Sequence, residues 1–97
     1  MPLYIALVNY TDQGMRDVKN SPARLDAARE LLREMGGDFK QVWMTLGEYD
    51  LIFVYEAPDD AVSARFLLQL GRLGNVRTRT MKAYPEPAYR QFMAHLD

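Results

Sequence analysis

The chain has 97 residues, 48% of them hydrophobic and 26% charged, a globular composition that leaves room for one modest core and excludes both a two-domain layout and intrinsic disorder. Twelve Lys and Arg against 13 Asp and Glu give 12 − 13 = −1, so no charge surplus draws the chain to nucleic acid or to an acidic membrane. Cysteine is absent and His95 is the single histidine, which excludes disulfides, thiolate nucleophiles, iron–sulfur clusters and thiolate or imidazole-rich metal sites; no metal or resident cofactor is expected.

In chain order, residues 2–10 are apolar and rich in strand formers, and Thr11-Asp12-Gln13-Gly14 follows as turn chemistry. Met1-Pro2-Leu3-Tyr4 has no basic start of a secretory signal, and no run approaches the ~20 apolar residues of a membrane span, so a soluble cytoplasmic protein is expected. After a long loop, Ser21-Pro22 reads as a helix start with serine as its cap. Leu25, Ala28, Leu32 and Met35 then fall at helical spacing, and Gly36-Gly37 ends the helix near residue 35. Phe39 to Leu46 and Tyr49 to Ala57 read as a hairpin turning at Gly47-Glu48. Pro58-Asp59-Asp60 opens a second helix running to about Leu70, with Gly71 and Gly74-Asn75 as its exit. Val76 to Ala83 form a fourth strand, and Tyr89, Phe92, Met93 and Leu96 mark a short amphipathic tail helix. The order is β-α-β-β-α-β plus a tail, which predicts an α+β, ferredoxin-like domain over residues 1–97 with an antiparallel four-stranded sheet.

A sheet covered on one side and wet on the other alternates apolar with polar residues. This one is apolar on both. Tyr4, Ala6 and Val8 oppose Leu3, Ile5 and Leu7, and Ile52 and Val54 oppose Leu51, Phe53 and Tyr55; alternation along strand two sets Val42, Met44 and Leu46 against Phe39 and Trp43. Two crossover helices cover one face. Four strands span ~19 Å while one helix covers ~10 Å, so the tail helix alone is too narrow for the second. A second copy of the sheet across a twofold axis is the economical cover. The charges are also polarised: residues 41–60 hold five acids and no base, whereas 61–84 hold five bases and no acid.

Thr11-Asp12-Gln13-Gly14 with Lys19-Asn20-Ser21-Pro22, the turn Gly47-Glu48-Tyr49-Asp50, the segment Glu56-Ala57-Pro58-Asp59-Asp60 and the run Gly74-Asn75-Val76-Arg77-Thr78-Arg79-Thr80 together closely resemble the GYD-domain family, and the resemblance covers almost the whole chain. It implies the dimeric α/β barrel type of fold, a homodimer of ferredoxin-like units. It implies little chemistry and offers no catalytic residues to carry over.

Each motif also has a structural explanation. Gly47 suits a hairpin turn, Asp59 and Asp60 suit a helix start, and Arg77 and Arg79 suit a solvated edge strand. Gly71 and Gly74 do not form a dinucleotide fingerprint, because they follow a helix. With one histidine near the C-terminus, no catalytic triad can be assembled. What remains is the space between two facing sheets. Asn9, Trp43, Tyr49, Phe53 and Arg79 are the candidate ligand contacts there, with Tyr55 beside them; placing the bulky aromatics toward that space is a choice of parity. The expectation is a homodimeric, noncatalytic module that binds or senses a small apolar or aromatic molecule. The alternatives are a cofactor-independent monooxygenase-like or isomerase-like enzyme using the same cavity, by fold analogy, and an interaction domain that presents its loops to another protein.

Overall fold

Apolar strand formers at Leu3–Tyr10 make β1, an inner strand of the sheet, in a computed structural model that describes residues 1–97. The stretch expected as a long loop is instead a short helix, α1 (Asp12–Arg16), and a 3-10 turn at Val18–Asn20. Thr11 starts α1, its hydroxyl accepting from the Gly14 N–H at 3.1 Å. Helix α2 (Ser21–Glu34) carries Pro22 in its first turn, but Ser21 is not the cap. Asn20 holds that position without a side-chain capping bond, its amide donating to Asp17 Oδ1 at 2.7 Å instead, and the Ser21 hydroxyl lies 2.8 Å from Tyr10 Oη.

Strands β2 (Asp38–Met44) and β3 (Leu51–Glu56) follow, then α3 (Asp60–Arg72), β4 (Val76–Ala83) and α4 (Glu86–Ala94). Asp59 caps α3 by accepting from the Val62 N–H at 2.9 Å. The helix runs through Gly71 and stops before Gly74, whose φ of +86° only glycine adopts readily. The sheet order is β2-β3-β1-β4, and every neighbouring pair is antiparallel.

Helices α2 and α3 cover one face. Beneath them lie Tyr4, Ala6, Val8, Phe39, Phe53 and Tyr55, closed by Ala28, Leu32, Val62, Phe66 and Leu70. The aromatics interlock, with ring centroids 5.3 Å apart for Tyr4 and Tyr55, 5.1 Å for Phe39 and Phe53, and 5.4 Å for Tyr55 and Phe66. Offset and edge-on aromatic pairs at such distances add to simple burial. A bulge in β2 between Phe39 and Gln41 resets the side-chain alternation, so Phe39 and Val42 pair with Tyr55 and Phe53 on the helix side. Strict alternation would have split them; here Trp43 goes to the other face with Gln41.

Helix α4 does not fold back. Tyr89, Phe92, Met93 and Leu96 are half or more exposed, and the radius of gyration is 14.7 Å where a compact chain of this length would have about 12.5 Å. An edge-on contact at 5.1 Å between Phe92 and Tyr84 ties the helix to the segment leaving β4. No helix is long and apolar enough to cross a membrane.

Candidate functional site

The second face of the sheet is built in rows by the strand register. Trp43 pairs with Ile52, Ile52 with Leu7, and Leu7 with Arg79, so these four residues form one line from edge to edge. The next line is Gln41, Val54, Ile5 and Met81, and Leu3, Glu56 and Ala83 follow. No helix covers this side. Leu3, Ile5, Leu7, Ile52 and Val54 are all half-buried by one another, while Trp43 and Met81 at the edges are 46% and 49% exposed. A contiguous aliphatic strip of this kind on a surface marks a place where something binds.

One end of the face is held by two sets of hydrogen bonds that converge on the end of β1. From the β3 side, the Asp50 N–H donates to the Val8 carbonyl, the Tyr10 N–H donates to Asp50 Oδ2 and Asn9 Nδ2 donates to the Glu48 carbonyl, each at 2.9 Å. From the β4 side, the Thr11 N–H donates to the Asn75 carbonyl at 3.0 Å, and Gln13 Nε2 donates to Leu73 O and Asn75 Oδ1 at 3.1 and 3.0 Å. The Thr11 hydroxyl also donates to the Gly74 carbonyl.

The far end carries a charged cluster. Tyr4 Oη donates to Asp60 Oδ1 at 2.5 Å, and Lys82 Nζ lies 3.1 Å from the same oxygen. Burial first, and the bond to Asp60 second, push the Tyr4 phenol far above its usual value. The Tyr4 bond and then Lys82 hold the Asp60 carboxyl below its own. Burial likewise raises Tyr55, whose Oη lies 2.7 Å from Ser63 Oγ. The cluster pins the start of α3 to β1 and β4, and it faces the helix side.

The candidate ligand contacts therefore separate. Trp43 and Arg79 share a row on the uncovered face. Asn9 points to the same side, with its amide committed to the Glu48 carbonyl. Tyr49 sits in the β2–β3 turn, half-buried, its carbonyl accepting from the Thr45 hydroxyl. Phe53 is on the opposite face: it is 5% exposed and belongs to the aromatic core under α2 and α3, as does Tyr55. The parity that put both in an inter-sheet space is reversed, because the largest rings fill the deep volume beneath two helices. Phe53 does line a cavity there with Leu25, Ala28 and Leu70, but its volume is about 60 Å³, well short of the ~300 Å³ of a small ligand site. Sequence reasoning missed the Gln13–Asn75 clasp, Met81 at the face edge and the bulge. Only the bulge left a sign, in the apolar pair Phe39 and Val42 at odd spacing.

An antiparallel α+β sheet with one helix-covered face and one bare aliphatic face defines the class. The GYD domain profile matches residues 4–93. The chain belongs to the GYD domain family. A Thermus thermophilus protein named "Glutamine synthetase and cystathionine beta-lyase binding protein" is 37% identical over 86 residues, covering 88% of this chain and 90% of that one. Among solved structures, one named FFRP-DM1 overlays at a TM-score of 0.58 with 23% identity, covering 87% of this chain and 100% of that one. The hypothetical protein PHS023 from Pyrococcus horikoshii overlays at 0.54 with 24% identity, covering 87% and 90%. These two likenesses are of fold.

Proposed function

We propose that this protein is a noncatalytic binding module in which two ferredoxin-like units close face to face into a dimeric α/β barrel, and that the closed pair docks onto a partner enzyme. The observation that carries the reading is the strip of Leu3, Ile5, Leu7, Ile52 and Val54 on the side no helix covers. Each of these side chains is more buried than exposed, so covering the rest is worth up to about 1 kcal/mol, and five in each of two copies contribute at most roughly 10 kcal/mol, against an association cost of about 4–15 kcal/mol. The aliphatics bring the pair near balance, and rim contacts decide its affinity. Two facing sheets ~10 Å apart are filled by such side chains. That favours an adhesive core over a chamber.

In the single chain the Tyr89, Phe92 and Met93 side chains of α4 are half-exposed, and this is the surface we assign to the partner. The relative's printed name supports an enzyme as that partner, with glutamine synthetase and cystathionine β-lyase as the two candidates. Size-exclusion chromatography of the purified chain with each enzyme from the same organism tests this. Co-elution with at least one is expected, and its loss in Phe92→Asp; no co-elution with either refutes the enzyme-binding part. Leu7→Glu should separately convert dimer to monomer in sedimentation velocity while leaving the circular dichroism of the fold intact, and a Leu7→Glu dimer refutes the face-to-face pairing.

A small apolar or aromatic ligand held at the Trp43 and Arg79 edges is the second reading, favoured by an indole and a guanidinium in one exposed row. Native mass spectrometry of freshly isolated protein distinguishes it: a mass increment that disappears on denaturation supports it, and a bare dimer mass rejects it.

A further inference from the structure

Resting on the face-to-face pairing just proposed, we infer that its twofold axis runs along the strands and seats the Arg79 guanidinium of each copy on the partner's Trp43. With the strands of the two sheets kept aligned, two symmetric ways exist to stack one sheet on its own copy. An axis along the strands lays β4 of one copy over β2 of the other and maps each cross-strand row onto itself in reverse. An axis across the strands lays β4 over β4 with its ends exchanged.

The row Trp43, Ile52, Leu7, Arg79 has an aromatic at one edge and a cation at the other. Reversed onto itself, it puts Leu7 against the partner's Ile52 in the middle and a guanidinium against an indole at both rims. A cation within ~6 Å of an indole face is attracted by the ring, and more strongly when water is excluded. The chain makes a contact of this type on its other face, where Arg29 lies 5.6 Å from the centre of the Phe39 ring. Arg79 has no carboxylate partner within its own chain, and neither has Arg77, one row further. Along the same axis Arg77 lies beside the partner's β2–β3 turn, where Glu48 is exposed and also unpaired. With the axis across the strands, the two basic strands stack on each other and both arginines lose water without gaining a partner, which is costly. Rim complementarity therefore selects the axis.

The test uses the absence of cysteine from the chain. Gln41→Cys and Met81→Cys chains, made separately, leave Trp43 and Arg79 in place and sit at opposite ends of the neighbouring row. Mixed and treated with a short bismaleimide, they should give a covalent dimer on a denaturing gel, and neither alone should. Cross-linking of Met81→Cys with itself overturns the axis while the pairing stands, and so does a mixture that does not cross-link although the wild type sediments as a dimer. A wild type that is monomeric at tens of micromolar removes the pairing itself. For the contact, Trp43→Leu and Arg79→Met should each raise the dimer dissociation constant by about tenfold, and together by about the same tenfold, since each deletes the same two symmetry-related contacts. A double variant weakened by the product of the two overturns the cation–indole contact.

Discussion

Gly14→Ala sets two physical effects against each other, and the distances decide between them. Gly14 lies inside α1, where alanine is normally favoured by about 0.5–1 kcal/mol. Here a Cβ would sit 2.0 Å from the Asn75 carbonyl oxygen, 2.9 Å from its carbon and 3.1 Å from its Cα. These are backbone atoms with no rotamer to escape into. Restoring ordinary contact parts the two segments by more than ~1 Å, which breaks the Thr11 N–H bond to Asn75 and the Thr11 hydroxyl bond to Gly74. Two part-buried bonds at about 1–2 kcal/mol each outweigh the helix gain, for a net loss of roughly 1–3 kcal/mol. At about 4–8 °C per kcal/mol for a domain of this size, Tm should fall by about 5–20 °C. Gly71 is the control: it is exposed in α3, a Cβ added there would meet nothing within 4 Å, and its φ is not positive, so Gly71→Ala should raise Tm by about 2–8 °C. Thermal unfolding followed by circular dichroism reads both. A Gly14→Ala protein as stable as the wild type would refute the reasoning that close backbone approach, and not helix propensity, dictates the residue.

Phe66 is fully buried with the Phe39 and Tyr55 rings 5.9 and 5.4 Å away, so Phe66→Ala should cost about 3–5 kcal/mol in urea unfolding, and a loss under ~1 kcal/mol would contradict the packing. Asp60 has its folded pKa depressed below the usual 3.8, so its contribution is present above that value and is lost as pH falls through the lower folded one. Asp60→Asn should flatten the acid limb of the stability curve; superimposable curves argue against the Tyr4 and Lys82 bonds. Tyr4 is the opposite case: its folded pKa lies above the usual 10.0, so its contribution is complete below pH 10 and falls as pH rises beyond it. Tyr4→Phe should therefore lose less stability than the wild type between neutral and strongly alkaline pH, read by denaturant titration across that range.

The order of the four strands, the two crossover helices and the tail helix was legible because its signals are local, whereas the short helix α1 was not. Pro22, Asp59 and the positive-φ glycines Gly36 and Gly74 act within a turn of where they stand. Side-chain parity was not, because it depends on a bulge set by long-range pairing: Phe39 meets Tyr55, and Gln41, not Lys40, is the next residue to find a partner. Ser21 was misread for a similar reason, since its bond goes to Tyr10, eleven residues back. The Thr11–Asn75 clasp joins residues over sixty apart and left no local trace. That the sheet has a second apolar face was legible from β1, whose odd- and even-numbered residues are both apolar, but which of the two faces the helices leave uncovered was not.

The motifs that look like separate turns in the sequence act as one device. β1 is hydrogen-bonded to both β3 and β4, and its end is seized from both sides: Asn9 and Tyr10 by the turn at Glu48 and Asp50, Thr11 and Gln13 by the segment at Leu73 to Asn75. A strand that slips by one residue turns every side chain to the other face. Both faces of this sheet are apolar, so hydrophobic patterning penalises such a slip weakly, and the turns must supply the missing specification. Fixing β3 and β4 against the same few residues of β1 is what lets Trp43 and Arg79, three strands apart, finish in a single row.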